Sequence, residues 1–547
     1  MVDFRFRGSV LQFMGIVNKP LSQFPQRRDT APMPFRIQSR RLTQILSALA
    51  LTIGTSLAAL APVPARAGQV VVQKVNGQWA LVDQGRIIPM RGVAVGNGAA
   101  SLEKLRNTGT TVVRTYGEPD VWVLDEAQKY GLKVIMGLWM EHPRLGFSYQ
   151  NQTAVEAQDR RISEFVTRYK DHPALLAWGV GNEVETDVAD PLPVWKQVNR
   201  VAEMVKKIDP NHPTMMVVAD TEDSRLQKLA GCCAAVDLLG INVYAGAVFT
   251  LPERVQKAGI VKPIIATEVG ALGQWQAGRT AWGAPVEPSS TQKAIFFHKA
   301  LPFLESQPNV LGSIAFMWGA KQEQTSTWHG LLLPDGSPLG AVDTLTELWN
   351  GKQPNNRAPE INGAGIAAEV YSPGDPITVG LSILDPDGDP IKLDFRLMNE
   401  ATDLQKGGDA EAVPPEMAIQ VETFPGTIAL FDAPTLPGEY RLFVTVHDPD
   451  GKAATVNMPF QVVGPAPPKG ATENQQGQAV TPDGLPIQVA LTGPNAASTR
   501  VDIERDLARL KASRERRQDI KKRQEERQKT KKVSTTAPKT TKKPKAS

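Results

Sequence analysis

The sequence predicts an α/β chain: a (β/α)8 TIM barrel, then an immunoglobulin-like β-sandwich, then a disordered or helical basic tail. Three observations lead there. From Gly68 to about Gln353, short β-branched or apolar runs alternate with longer amphipathic stretches, the pattern of repeated βα units. Eight such units fit in that span, and a closed barrel usually takes about 250 residues. From Asn355 to about Gly464 the runs become short and alternating, broken by Pro/Gly turns, as in a β-sandwich.

Residues 36–67 read as an export signal. Arg36, Arg40 and Arg41 lead into LTQILSALALTIGTSLAALA, and Ala65-Arg66-Ala67 offers a small-x-small cleavage site before Gly68. The expectation is a mature chain that starts near Gly68 and is periplasmic, envelope-associated or extracellular. The competing reading is an uncleaved anchor, which Gln44, Ser47, Thr52 and Gly54 disfavour as a span. Next, VVVQKVNGQWALVDQG (70–85) reads as a hairpin turning at Asn76-Gly77 and closing the bottom of the barrel.

The eight strand candidates are 87–95, 111–117, 132–139, 174–183, 214–220, 236–244, 262–270 and 310–318. Their near-continuous apolar character implies burial on both faces, as a parallel sheet demands. Between them, 193–208 carries Trp195, Val198, Val201, Met204 and Val205 at helical spacing. A doubly wound open sheet is the structural alternative, but no Gly-rich phosphate loop follows the first strand. The two cysteines, Cys232 and Cys233, are adjacent, which favours two packed thiols over a vicinal disulfide and offers no metal spacing. No metal or cofactor is expected.

A barrel of this kind places its chemistry at the C-terminal ends of its strands. Here those ends are polar: Arg114-Thr115-Tyr116, Trp139 with Glu141-His142, Gly181-Asn182-Glu183, Asp220, Asn242-Val243-Tyr244, Thr267-Glu268 and Trp318. Glu183 and Glu268 end the fourth and seventh strands. Glycoside hydrolysis needs one carboxylic acid to protonate the leaving oxygen and a second carboxylate to attack or assist, about 5–5.5 Å away in a retaining enzyme. For a single strand glutamate, a structural ion pair is the simpler reading.

The sequence WGVGNE (178–183) and IIATEVG (264–270) resembles the acid/base and nucleophile strands of clan A glycoside hydrolases. The 68–353 span is similar to the barrel of glycoside hydrolase family 2, with β-1,3-glucanases and glucanosyltransferases of the same clan close behind. The resemblance implies Glu183 as general acid/base and Glu268 as nucleophile. It further implies Asn182 on the sugar 2-hydroxyl, Arg114 and Tyr244 hydrogen-bonded to the nucleophile, Trp318 as a stacking floor and His142 lining the sugar site. The two glutamates must then differ in acidity, so that one protonates while the other attacks. Family 2 enzymes usually carry sandwich domains ahead of the barrel; here about twenty residues separate Gly68 from the first strand. That departure favours an open cleft acting on a polymer.

Glu185 and Asp187, in the loop after Glu183, either shape the leaving-group side or cap the next helix, and Glu118, Asp120 and Glu141 are similar cases. Trp275, Trp282 and Trp328-His329 are either sugar platforms or packing anchors.

Beyond the barrel, PITVGLSIL, IKLDFRL, TIALF and EYRLFVTVHD supply sandwich strands, and DPDGD (385–389) and DPDG (448–451) read as self-sufficient type I turns, the competing reading being calcium held by their aspartates. Residues 465–499 read as a linker. Residues 500–547 hold 18 Lys/Arg against 7 Asp/Glu, and 1–67 add a net +7, so the body carries −14 within a whole-chain charge of +4. An acidic body disfavours nucleic-acid binding, while the tail suits an anionic envelope surface. The expected activity is a retaining β-glycosidase acting on a β-linked glucan or related polysaccharide. The alternatives are a glucanosyltransferase using the same site and a non-catalytic carbohydrate-binding envelope protein.

Overall fold

The computed structural model describes residues 68–96, 101–424 and 428–464, with backbone pairs at 472–473 and 479–480. The export signal, most of the linker and the basic tail lie outside the described residues. Strands β1 (Val70–Val75) and β2 (Gln78–Asp83) form the hairpin, and β3 (Arg86–Ile88) extends it to three antiparallel strands. Asn76 and Gly77 both take positive φ, +53° and +85°, which a tight two-residue hairpin turn requires. Val70 and Leu81 join the apolar filling of the barrel, and Asp83 pairs with Lys133 at the start of a barrel strand, 2.5 Å away. The hairpin therefore covers the N-terminal end of the barrel.

Eight strands follow: β4 (Arg91–Val95), β5 (Val112–Arg114), β6 (Lys133–Leu138), β7 (Leu175–Val180), β8 (Thr214–Ala219), β9 (Leu238–Tyr244), β10 (Ile264–Gly270) and β11 (Val310–Trp318). They pair in parallel and close into a ring, with β11 against β4. Val112, Ile135, Met215, Val217, Ile265 and Ile314 fill the interior. A second apolar layer lies between strands and helices. It is built by Val113, Val134, Met136 and Val218 against Ile162 and Val166 of α3 (Gln152–Tyr169) and Val198, Val201 and Val205 of α4 (Leu192–Ile208). The remaining helices are α1 (Leu102–Asn107), α2 (Trp122–Lys129), α5 (Asp223–Ala230), α6 (Leu251–Lys257), α7 (Ser290–Glu305) and α8 (Gly340–Asn350). Among the described residues no helix is long and apolar enough to cross a membrane.

Cys232 and Cys233 are joined in a vicinal disulfide, which corrects the expectation of two thiols. Cys233 sits at φ +68°, so the chain already turns sharply between the pair.

The C-terminal domain packs two sheets face to face. One holds β12 (Glu360–Ile366), β14 (Pro376–Leu384), β17 (Glu422–Phe424) and β18 (Ile428–Asp432). The other holds β13 (Val370–Tyr371), β15 (Lys392–Asn399), β16 (Glu416–Met417), β19 (Gly438–His447) and β20 (Ala453–Val462). Ile377, Val379 and Phe431 of the first meet Leu397, Leu442, Val444 and Phe460 of the second in one core. The Tyr440 hydroxyl donates to the Leu436 carbonyl at 2.8 Å, a corner contact typical of such sandwiches. In the two Asp-Pro-Asp-Gly turns the first aspartate folds back on its own backbone. Asp385 accepts from the amides of Asp387 and Asp389, and Asp448 from that of Lys452. Among the described residues no cluster of His, Cys, Asp or Glu is arranged to hold a metal.

Candidate active site

The C-terminal ends of β5, β7, β9 and β10 bring five polar side chains into one hydrogen-bonded chain. Glu183 follows β7 through Gly181 (φ +69°) and itself sits at φ +46°, a conformation a side-chain-bearing residue adopts at a cost. Glu183 Oε1 accepts from Asn242 Nδ2 at 2.8 Å, and the same amide donates to Asn182 Oδ1 at 3.2 Å. Asn182 Oδ1 also accepts from Arg114 Nη2 at 2.6 Å. Arg114 Nη1 donates to Glu268 Oε1 at 3.1 Å. The path from one glutamate to the other thus runs through Asn242, Asn182 and Arg114. Asn182 thus enters this chain through its oxygen alone, which accepts both hydrogen bonds.

Glu268 is 7% exposed and is held by three side-chain donors. Besides Arg114, Tyr116 donates to Oε1 at 3.0 Å and Tyr244 to Oε2 at 2.7 Å. An extra residue on β10 between Ala266 and Glu268 sets Glu268 opposite Asn242 of β9, which aligns these groups. Burial and the adjacent Glu268 charge push both phenols well above the ordinary tyrosine value, so each remains an O–H donor. Glu183 differs. Burial first, then the facing charge of Glu268, raises its carboxyl to about 8, and the Asn242 hydrogen bond only partly opposes this. At neutral pH Glu183 therefore keeps its proton, facing Glu268 in its three-donor grip.

Tyr116 and Asn242 belong to this network although no role was read for them from sequence. Their signal is spacing: Asn242 lies two residues before Tyr244 on β9, and Tyr116 two residues after Arg114, just past the end of β5, so each shares a side with a site residue.

His142 is 3% exposed, stacks on Trp139 with ring centroids 4.9 Å apart, and has neither ring nitrogen hydrogen-bonded. Burial, with Arg144 nearby, lowers its pKa to about 4, so it is a neutral imidazole. Trp318 requires a correction. It is 1% exposed and packs in the apolar layer between strands and helices, so it forms no open floor; Phe316 takes the inward position on β11, edge-on to Tyr116 and Tyr244.

Trp275, beside Tyr244, is open to solvent: 54% exposed, edge-on to Tyr244 at 5.1 Å and stacked with His329 at 6.0 Å. Trp328 is a packing anchor, buried with its indole N–H on the Leu272 carbonyl at 2.8 Å. Glu185 is buried against the Ala219 amide, 3.0 Å away, and burial lifts its carboxyl to about 7. Asp220 pairs with Arg254 at 2.9 Å and Glu118 with Arg161, so both serve structure.

Residues 110–280 match the model of the glycosyl hydrolases family 2 TIM barrel domain, and both glutamates lie inside the match. The chain is 24% identical over 215 residues to a putative beta-glucuronidase of Formosa agariphila, covering 37% of this chain and 18% of that protein. It is 28% identical over 123 residues to mannan endo-1,4-beta-mannosidase F of Aspergillus clavatus, covering 19% and 28%. Among solved structures, beta-glucuronidase of Bacteroides uniformis matches at 15% identity with a TM-score of 0.39, covering 71% of this chain and 48% of that one. Faecalibacterium prausnitzii beta-glucuronidase matches at 17% with a TM-score of 0.42, covering 52% of each. The chain thus spans less than a third of these two curated relatives and about half of these two structures.

Proposed function

We propose, from a barrel similar to the TIM barrel domain of glycosyl hydrolases family 2, that this chain is a retaining β-glycosidase acting on a β-linked glucan, mannan or related polysaccharide. The observation that carries the reading is the pairing of unlike carboxyls: Glu183 raised to about 8 and Glu268 gripped by Arg114, Tyr116 and Tyr244, joined by one hydrogen-bonded chain. In the first step a Glu268 oxygen bonds to the anomeric carbon. The bond to the leaving oxygen breaks with its electron pair, and that oxygen takes the proton of Glu183. In the second step Glu183, now a carboxylate, takes a proton from water as the water oxygen attacks the anomeric carbon and frees Glu268. Asn182 is placed to donate to a sugar hydroxyl, and Trp275 offers a face for stacking.

The test uses the full chain on aryl β-glucosides, β-mannosides and β-glucuronides and on soluble β-glucan and galactomannan. Glu268→Gln is expected to lower turnover by roughly 10³-fold or more while the protein stays folded. NMR of the first product should show the β-anomer. Turnover that survives Glu268→Gln, or an α-anomer, overturns the assignment.

A further inference from the structure

The loop between β15 and β16, residues 400–415, leaves the sandwich and reaches the C-terminal face of the barrel. Asp409 takes two hydrogen bonds from Arg144 in the loop after β6, at 2.7 and 2.9 Å. Lys406 pairs with Asp187 in the loop after β7, at 3.0 Å. Glu411 accepts from the Gln324 amide in the loop after β11, at 2.6 Å. In the closed ring β7 and β11 stand four positions apart, on opposite sides. The loop therefore runs from one rim of the mouth to the other.

The contacts are built for close approach. Gly407 and Gly408 sit at φ +64° and +75°. A side-chain carbon on Gly407 would lie 2.9 Å from the Arg144 guanidinium, and one on Gly408 would lie 2.7 Å from Lys321 Nζ. The neighbouring atoms are the far ends of flexible side chains that can shift, so it is the left-handed φ that calls for glycine at both positions. Within the loop, Asp403 accepts from the Ala412 amide and Glu411 from the Gln405 amide. At its root Glu400 is bound by Arg441 and by Gln324. The loop is thus held in shape before any ligand arrives.

Its anchors adjoin the glutamates. Arg144 is kept protonated chiefly by Asp409, and Asp187 and, once ionised, Glu183 lie near enough to act on it more weakly. Lys321 lies over the Phe316 ring, 5.9 Å from its centroid, and Phe316 touches the two tyrosines that grip Glu268.

We propose that residues 401–415 are a strap that closes one exit of the cleft, so that the enzyme takes chain ends and short oligosaccharides rather than internal bonds of a polymer. This rests on the glycosidase reading above. An internal cut needs the polymer to leave the site on both sides, and a strap pinned at opposite rims obstructs one of them.

The test compares the full chain with Lys406→Ala/Asp409→Ala and with a second variant in which 402–412 is replaced by a short Gly/Ser linker. Viscosity loss and reducing ends are followed together on the soluble β-glucan and galactomannan. The parent is expected to release reducing ends with little viscosity loss. Both variants should raise the viscosity loss per reducing end by about tenfold, a change that packing damage alone would not produce. A parent that thins the polymer as fast as it makes ends, or folded variants with an unchanged ratio, overturns the strap and leaves the glycosidase reading intact. A parent without turnover on any of these substrates overturns both.

Discussion

Two carboxyls, half-buried Glu183 at the mouth of the barrel and buried Glu287 at the seam with the sandwich, are held in opposite ways. Glu287 accepts from Lys293 at 2.5 Å, Thr325 at 2.6 Å, Thr327 at 3.0 Å and Asn457 at 2.5 Å, so both oxygens are fully engaged. Burial alone would raise it, but the Lys293 charge and these donors outweigh that and hold it below the usual carboxylate range. Glu183 accepts one protein hydrogen bond, faces a second carboxylate and is raised to about 8. Desolvation acts on both carboxyls, and the partners decide the outcome. A saturated buried pair spends its charge on holding two domains together, whereas an under-partnered acid beside a like charge keeps a proton to give.

The largest break in this contrast comes from Glu183→Gln. Removing a general acid is expected to lower turnover of poor leaving groups by roughly 10²–10⁴-fold, with a smaller loss on activated aryl glycosides. Equal losses across leaving groups, in steady-state kinetics, would remove Glu183 from that role.

Glu287→Ala should act on stability. It strands a buried ammonium and is expected to cost about 3–5 kcal/mol in urea unfolding. A loss below about 1 kcal/mol, the size of an exposed pair, would mean the seam is not the saturated network described.

Tyr116→Phe removes one donor to Glu268 while Arg114 and Tyr244 remain. A hydrogen bond to a charged group is worth about 1.5–3 kcal/mol, and with 1.36 kcal/mol per tenfold in rate, kcat should fall about ten- to hundredfold. An unchanged kcat would assign Tyr116 to packing.

The last contrast is in pH dependence, where the two sites slope in opposite directions. Folded Glu183 binds its proton more tightly than the unfolded chain does. Its contribution is complete below the ordinary glutamate value and is lost as pH rises through about 8. The stability of Glu183→Gln should therefore gain on the parent between pH 5 and 9, and kcat/KM of the parent should fall above pH 8. Folded Glu287 binds its proton less tightly, so its contribution is present above the ordinary value and is lost as pH falls below it. The gap between parent and Glu287→Gln should close below about pH 4, near the unfolded value. Parallel slopes in the two comparisons would erase the distinction.

Much of the architecture was written in local pattern. The run read as a strand at 174–183 is β7, Leu175–Val180, and the helix read at 193–208 is α4, Leu192–Ile208. Period and turn chemistry act over a few residues, so a single sequence carries them. The rule that a barrel's chemistry sits at its strand ends then singled out Glu183 and Glu268.

Side-chain facing within β11 was not legible. Every residue from Ile314 to Trp318 is apolar, so a two-residue alternation has no polar partner to set its phase. A register shift between Ala315 and Trp318 against β4 then moves Trp318 to the outer layer and leaves Phe316 inside. The same limit hid the strap. Residues 400–415 are a polar loop by composition, and only packing of the sandwich on the barrel brings Asp409 to Arg144, 265 positions away. The acidity of Glu183 likewise depends on a facing carboxylate from another strand and on exclusion of water. Sequence determined which elements form and which residues end them, because those forces are local. The tertiary structure alone decided which ends face one another, because burial and charge act through space.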